Sequence, residues 1–371
     1  MTTLDKKLRV ALVYLGRKGG GPVYSLEIAK RLQNKAEVLA VVSQQVENLS
    51  LWQKQVSQVF AVKTYTNKGE FLRSFFYSPG KQEIKNKLKE FKPDVIYYPF
   101  FHFWLPFINH WFSEIPKVYT AHDPVLHQGE NSWLARILQD RLIKQSQRVI
   151  VLSSVFKPVI QAKGQPGEAI DVIPHGIFDY YLDSLKCGNT HPPTLLFFGR
   201  VVKYKGLDVL LKAWSSIKKQ VKEAQLLIAG SGDTGPYQPL LKNQQGITIY
   251  NQWINDNEVA GYFQQADVLV CPYLDGSQSG AIPAAYAFKM PVVATKVGGL
   301  IEQVEHNKTG LLVEAGNIEQ LALACVRLLQ DEKLRKEMGE AGRQKAIAQW
   351  SWEKVSDQVL TSLQKTIICN S

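Results

Sequence analysis

Short, continuous apolar runs recur along the chain, each closed by a glycine, proline or histidine and followed by helical spacing. Leu8–Leu15 is apolar except for Arg9. A run without alternation is the pattern of a strand buried on both faces of a parallel sheet. The turn 16–21 (GRKGGG) follows it. Then Val23, Leu26, Ile28, Ala29 and Leu32 predict a helix over Pro22–Leu32. Further strands are predicted at Ala36–Val42, Val95–Tyr98, Val118–Thr120, Val149–Leu152 and Ile170–Ile173. Asp179–Pro193 is polar and closed by two prolines, which predicts a linker. Strands then resume at Leu195–Phe198, Leu226–Ala229, Ile247–Tyr250, Val268–Cys271, Pro291–Thr295 and Leu311–Val313. Helices are expected at Leu207–Ile217, Glu258–Gln265, most of Ile318–Ala346, and Trp350–Ile368. The fold class is therefore α/β, with two Rossmann-like, doubly wound parallel-sheet domains facing across a cleft. The boundaries are 1–183 and 184–349, and the terminal helix, about 350–371, is expected to pack back on the first domain.

The chemistry concentrates where strands end. At Leu195–Gly206 (LLFFGRVVKYKG) a buried strand runs into Gly199 and a helix starts near Gly206. Such a junction offers backbone N–H groups and the positive end of a helix dipole. Arg200 and Lys205 add a planar fork and a mobile point charge, a set suited to a diphosphate. Taken alone, the stretch also fits an ordinary βα turn with solvated basic residues. Gly19, Gly20 and Gly21 let backbone approach a ligand. They do not spell G-x-G-x-x-G, so an NAD site is disfavoured. His122, followed by Asp123, and His175 both close strands of the first half, where ligands of such sheets bind. Asp275–Ala285 (DGSQSGAIPAA) supplies Ser277, Gln278, Ser279 and Gly280 ahead of another helix. That loop fits either a sugar or anion site or a plain helix cap.

Composition narrows the classes. The net charge of +11 over 371 residues favours acidic partners such as phosphates, nucleic acid or anionic lipid. The basic residues are dispersed and no nucleic-acid motif is present, so nucleic acid is not expected. Cys187, Cys271, Cys325 and Cys369 lack metal-ligand spacing, and they read as reduced thiols of a cytoplasmic protein. No signal peptide or membrane-spanning run is seen. Two segments raise the inner face of the membrane as a place of peripheral contact. Lys63–Lys92 interleaves lysine with Tyr65, Phe71, Phe75, Phe76 and Tyr77, and Phe100–Phe112 is strongly aromatic. The alternative for both is a solvated charged face over core aromatics.

The second half resembles the group 1 glycosyltransferases, the large retaining family of GT-B fold. The matching residues are Gly199-Arg200, Lys205-Gly206-Leu207, the stretch 228–232 (IAGSG), Ala266-Asp267-Val268, Pro272-Tyr273, the stretches 291–295 (PVVAT) and 297–299 (VGG) with Glu302, and 309–313 (TGLLV). The first half matches through the glycine turn, His122-Asp123, Ser153 and Pro174-His175-Gly176. The resemblance implies transfer of a sugar from a nucleotide-diphosphate sugar to a glycan or lipid-linked hydroxyl, in polysaccharide or glycolipid synthesis. It implies that Arg200 and Lys205 hold the diphosphate, Gly199 and Gly230 line it, and Gly19–Gly21 approach it from the other domain. Trp253 and Ile254 fall where the family seats the base. The amides around Gln278, Ser279 and Gly280 meet sugar and phosphate, and Glu302 stands at a position often acidic. His122 sits near the acceptor, with Asp123 and His175 on that side. No metal and no cofactor beyond the co-substrate is implied, and no Asp-x-Asp motif appears.

One departure stands out. Most members carry two glutamates, with seven residues between them, just before Pro-Val. Those positions are Gly276 and Ala284 here. Asp275 is the nearest substitute for the first, and nothing replaces the second, which in the family binds the ribose. The alternative is thus an inactive nucleotide-sugar- or glycan-binding protein of GT-B fold.

Overall fold

A computed structural model describes residues 7–125, 133–184, 191–242 and 244–368. Two compact units emerge: Met1–Pro124 with Ser132–His175 and Trp352–Ser371, and Val125–Asn131 with Gly176–Ser351. Cys187 and Cys369 lie outside the described residues.

The first unit is built on seven strands: β1 (Arg9–Tyr14), β2 (Glu37–Ser43), β3 (Val59–Val62), β4 (Val95–Tyr98), β5 (Lys117–Ala121), β6 (Arg148–Val151) and β7 (Ile170–Val172). They form one sheet in the order β3-β2-β1-β4-β5-β6-β7, and every pairing is parallel. Along β1, Val10, Leu12 and Tyr14 enter one core, while Ala11 and Val13 enter the core on the opposite face. That explains the unbroken apolar run, because alternate residues are buried on both sides. Each such side chain contributes about 1.5–3 kcal/mol relative to exposure. Arg9, the one polar residue of the run, is at the strand's start and pairs with Glu37 at 3.1 Å.

One face of the sheet is covered by the Gly20–Leu32 helix and the terminal Trp352–Ile368 helix. From the latter, Trp352, Val355, Val359 and Leu363 enter the core. The opposite face is covered by Pro79–Phe91, Leu105–Trp111 and Trp133–Gln145.

The second unit holds β8 (Thr194–Phe198), β9 (Gln225–Ala229), β10 (Ile247–Tyr250), β11 (Val268–Cys271), β12 (Val292–Thr295) and β13 (Gly310–Val313). Their order is β10-β9-β8-β11-β12-β13, and all pairings are parallel. Its core joins these strands to the Leu207–Gln220 and Ile318–Gln330 helices. In each sheet the chain reverses its winding beside the first strand, between β1 and β4 and between β8 and β11. Such points are where loops diverge and ligands bind.

Four local expectations change. β3 was not expected. It is an edge strand with three of four residues half-buried, so it lacks a run buried on both faces. The stretch expected to be helical over Ile318–Ala346 is two helices, Ile318–Gln330 and Glu332–Trp350. Asp331 breaks it, at φ −110° and ψ 90°, and its carboxylate accepts the Leu334 N–H at 2.9 Å as an N-cap. The described start of the expected linker is a 3-10 turn, Asp179–Ser184, anchored by the Tyr181 hydroxyl donating to Asp256 at 3.3 Å. Residues 185–190 lie outside the described residues. Finally, the aromatics of Phe100–Phe112 are buried or half-buried, with Trp104 and Phe112 fully in the core. That segment is core, whereas Leu72, Phe76 and Tyr77 of the other segment are exposed.

Candidate functional site: a cationic turn and a histidine box

In the second unit, Gly199 ends β8 with φ +113°, and a 3-10 turn over Lys203–Lys205 leads into the Leu207–Gln220 helix. Gly206 caps that helix at φ +67°, and a β-carbon there would stand 1.9 Å from the Pro272 carbonyl oxygen. Only glycine fits this close approach of the β8 and β11 loops. The turn directs Lys205 back over the strand end. A β-carbon on Gly199 would lie 2.7 Å from Lys205 Nζ, so the ammonium rests against the glycine backbone. Nζ also sits 5.2 Å from the Tyr273 ring centroid, within cation–π range. Arg200 is exposed, and its Nη2 donates to the Tyr204 hydroxyl at 3.5 Å. The Tyr204 carbonyl in turn accepts the Leu274 N–H at 2.7 Å, tying the cationic turn to the loop after β11.

Gly230, at the end of β9, has φ +144°, and a β-carbon there would come within 2.0 Å of the Gly199 carbonyl oxygen. The pair Gly199 and Gly230 thus allows two strand ends to touch. Beyond β10, Trp253 is exposed and Ile254 half-buried, just ahead of the Asp256–Phe263 helix, which Asn255 and Glu258 close with a capping box.

The loop after β11 is firmly held. Asp275 accepts the Gly276 N–H at 2.7 Å, and the Ser277 carbonyl accepts the Gly299 N–H at 2.9 Å. Gln303 brackets Ser279: its Oε1 accepts the Ser279 N–H at 2.9 Å and its Nε2 donates to the Ser279 carbonyl at 3.0 Å. The Ser279 amide thus has a partner within the protein. The Ser279 hydroxyl shares a hydrogen bond with Tyr273 at 3.0 Å, and Cys271 lies 3.7 Å away. Burial pushes the Cys271 thiol up to about 11 and the Tyr273 phenol well above its usual value. Both stay protonated at neutral pH. Gln278 is half-buried, Gly280 exposed, and Glu302 exposed on the short Leu300–Gln303 helix. Ala284 is buried in the Ala281–Ala287 helix.

In the first unit the glycine turn packs on Tyr14. β-Carbons at Gly16 and Gly21 would lie 2.4 and 2.6 Å from its hydroxyl, whereas one at Gly20 would meet nothing within 4 Å. Gly19 has φ +89°, and its N–H donates to the Glu47 carboxylate at 3.1 Å. An anion, supplied by the protein itself, already satisfies that amide. His122, after β5, is buried. Its Nε2 is 2.9 Å from the Pro99 carbonyl oxygen, so that nitrogen carries the hydrogen and Nδ1 the lone pair. The ring stacks on Phe100, with centroids 3.5 Å apart, and meets the edge of Tyr24 at 4.7 Å. Burial, with a smaller contribution from His175, lowers its pKa to about 3. His175 is buried beside Tyr24 and Trp352, 6.3 Å from His122, and Asp123 is exposed. Tyr204 and Gln303 in one unit, and Tyr24 and Trp352 in the other, carry these sites without having been singled out, while Tyr273 and Phe100 are visible only within a family motif and an aromatic run. Gln303, Tyr24 and Trp352 act through contacts distant in sequence, which no local spacing signals.

Residues 192–331 match the family described as "Glycosyl transferases group 1", and residues 18–178 match "Glycosyltransferase Family 4". The chain belongs to the group 1, family 4 type glycosyltransferases. It is 32% identical over 185 residues to a GDP-mannose-dependent alpha-(1-6)-phosphatidylinositol monomannoside mannosyltransferase of Mycobacterium tuberculosis, a match covering 46% of this chain and 47% of that one. The chain thus spans about half the length of that relative. A phosphatidyl-myo-inositol mannosyltransferase of Mycobacterium leprae is 26% identical over 357 residues, 92% of each chain. Among solved structures, Anabaena HepE with UDP-glucose superposes with a TM-score of 0.74 at 17% identity, covering 96% of this chain and 99% of that one. The sucrose-phosphate synthase of Thermosynechococcus elongatus gives 0.75 at 18% identity, covering 98% and 100%. With its two parallel-sheet domains, the fold is GT-B. No helix among the described residues is long and apolar enough to cross a membrane.

Proposed function

We propose that the protein transfers a sugar from a nucleotide-diphosphate sugar to a hydroxyl of a glycan or lipid-linked acceptor, in cell-surface polysaccharide or glycolipid synthesis. The observation that carries this reading is the Gly199–Lys205 turn, where Lys205 Nζ rests on Gly199 and Tyr273 with Arg200 beside it. The UDP-glucose bound to HepE, a structural relative, is consistent with a nucleotide sugar as the ligand.

Breaking the bond between the sugar's anomeric carbon and the phosphate oxygen places negative charge on the nucleotide diphosphate. Arg200 and Lys205 stabilise that charge as it develops, in the role a divalent metal has in other transferases. The acceptor oxygen bonds to the anomeric carbon on the face the phosphate leaves, giving retention of configuration. The departing phosphate oxygen takes the acceptor's proton. His122, neutral and weakly basic, orients a hydroxyl through Nδ1 and does not take a proton. Gly230, Trp253, Ile254, Gln278 and Gly280 contribute the remaining donor contacts, Glu302 lies at their rim, and Asp123 and His175 belong to the acceptor side. No other cofactor is required. The reaction belongs on the cytoplasmic face of a membrane, where nucleotide sugars are made.

Release of nucleoside diphosphate from a panel of nucleotide sugars tests the reading. Arg200→Ala and Lys205→Ala are each expected to lower turnover by roughly 10²-fold or more. Near wild-type turnover in either variant would remove the diphosphate assignment. The second reading, a nucleotide-sugar-binding protein without activity, draws on Gly276 and Ala284, where the family resemblance implies carboxylates. Calorimetric binding without turnover on any acceptor would establish it.

A further inference from the structure

The first unit holds an apolar cavity of about 500 Å³ that the transfer chemistry leaves unused, within the about 300–1,000 Å³ of small-molecule sites. It lies between Thr64 and Tyr65 after β3, the Lys68–Phe76 helix and the start of the Pro79–Phe91 helix, with Trp104 in its wall. Three polar groups deep in the wall are paired within the protein. Trp104 Nε1 donates to Ser74 Oγ at 2.9 Å, Ser74 donates to the Phe71 carbonyl at 2.7 Å, and Thr64 donates to Gln45 Oε1 at 2.8 Å. Most of the exposed wall is apolar, so the cavity favours an apolar occupant.

Its mouth is equally specific. There Phe76 is 94% exposed and Tyr77 76%, and Leu72, beside the lining, is 63% exposed. Leu72 and Phe76 are one helical turn apart, hence on one face. Soluble surfaces seldom leave such a patch uncovered. The segment that builds it is basic: residues 63–92 hold eight lysines and arginines against three glutamates. Lys63 and Arg73 are exposed in the lining, and Lys68 is exposed at the start of the Lys68–Phe76 helix. Of the three acids, Glu70, bound to the Thr66 hydroxyl at 2.7 Å, and Glu83 both line the cavity. An apolar cavity, an aromatic lip and a segment of net positive charge together match a hydrocarbon chain beneath an anionic headgroup. The cavity opens beyond the carboxyl end of β3, the same edge of the sheet that carries His122 and His175.

We propose that this cavity seats a hydrocarbon chain of an anionic membrane lipid, so that the acceptor is lipid-borne and held by its tail; the acceptor role rests on the glycosyl-transfer reading above. The full chain should co-sediment with phosphatidylcholine vesicles containing phosphatidylglycerol and not with phosphatidylcholine alone. Vesicle lipids brominated on their chains should quench tryptophan fluorescence, and Trp104→Phe should remove most of that quenching. Ser78→Phe, at an N-cap whose side chain makes no cap bond, should fill the cavity and reduce quenching while sedimentation persists. Phe76→Ser with Tyr77→Ser should weaken vesicle binding by about 10-fold or more. Unchanged melting temperatures confirm that the variants fold. Absence of vesicle binding, or quenching that Trp104→Phe and Ser78→Phe leave unchanged, overturns the proposal. Lipid binding as described with no turnover of any nucleotide sugar overturns the acceptor role alone and leaves the lipid seat standing.

Discussion

Lys205 lies over the face of Tyr273, its Nζ 5.2 Å from the ring centroid, and so one aromatic ring aims the ammonium at the end of β8. The ring is fixed in turn, because its hydroxyl is bonded to the buried Ser279. Removing the ring should matter more than removing the hydroxyl. Tyr273→Leu is expected to lower kcat/KM for the donor by about 10-fold, the scale of a partly desolvated cation–π contact. Tyr273→Phe is expected to stay within about three-fold of wild type. Steady-state kinetics of both variants distinguishes a positioning ring from a merely structural one.

Gln303 is the brace of the loop after β11. It makes two hydrogen bonds to the Ser279 backbone in a buried setting. Gln303→Leu leaves a buried N–H and a buried carbonyl unsatisfied, at about 1–3 kcal/mol each. Denaturant unfolding should show a loss of that size, and donor KM should rise as the loop loosens.

The approach of the β8 and β11 loops depends on Gly206. Its positive φ and the Pro272 carbonyl 1.9 Å from any β-carbon leave no room for alanine. Gly206→Ala should cost about 3 kcal/mol or more, the level of strained core substitutions. It should also lower the melting temperature more than Gly20→Ala, whose β-carbon meets nothing within 4 Å.

Two buried histidines set an acid limit. Burial lowers both His122 and His102 to about 3. The unfolded chain takes up these protons from about pH 6.5 downward, and the folded chain does not. Stability from this source is thus complete above pH 6.5 and is lost as pH falls from there toward 3. Urea midpoints measured from pH 7 to 4 should fall, less steeply in His102→Phe. Activity should show no acid limb near pH 6.5 arising from His122. Such a limb, abolished in His122→Asn, would assign that ring an ordinary basicity.

Much of this architecture is legible in the chain itself. Runs buried on both faces, such as β1 and β8, announce a parallel sheet, and the glycine at each strand end announces a turn. The edge strand β3 escapes because half-burial gives it no unbroken apolar stretch. Arg200 and Lys205 are visible as charges beside a strand-to-helix junction. What aims them is not, since Tyr273 comes from another strand's loop. Likewise Gln303 is 24 residues from the serine it braces, and its capture of the Ser279 amide cannot be read from spacing. The aromatic run Phe100–Phe112 and the stretch Phe71–Tyr77 look alike in composition. Only tertiary packing sends the first into the core and leaves part of the second in water.

The central claim is that Arg200 and Lys205 grip the diphosphate of the donor. Titration calorimetry with the nucleoside diphosphate and with the nucleoside alone tests it directly, taking the base from a screened panel. The account predicts that Lys205→Ala weakens the diphosphate by about 10-fold or more and leaves the nucleoside unchanged. Equal affinity of wild type and variant for the diphosphate would contradict it.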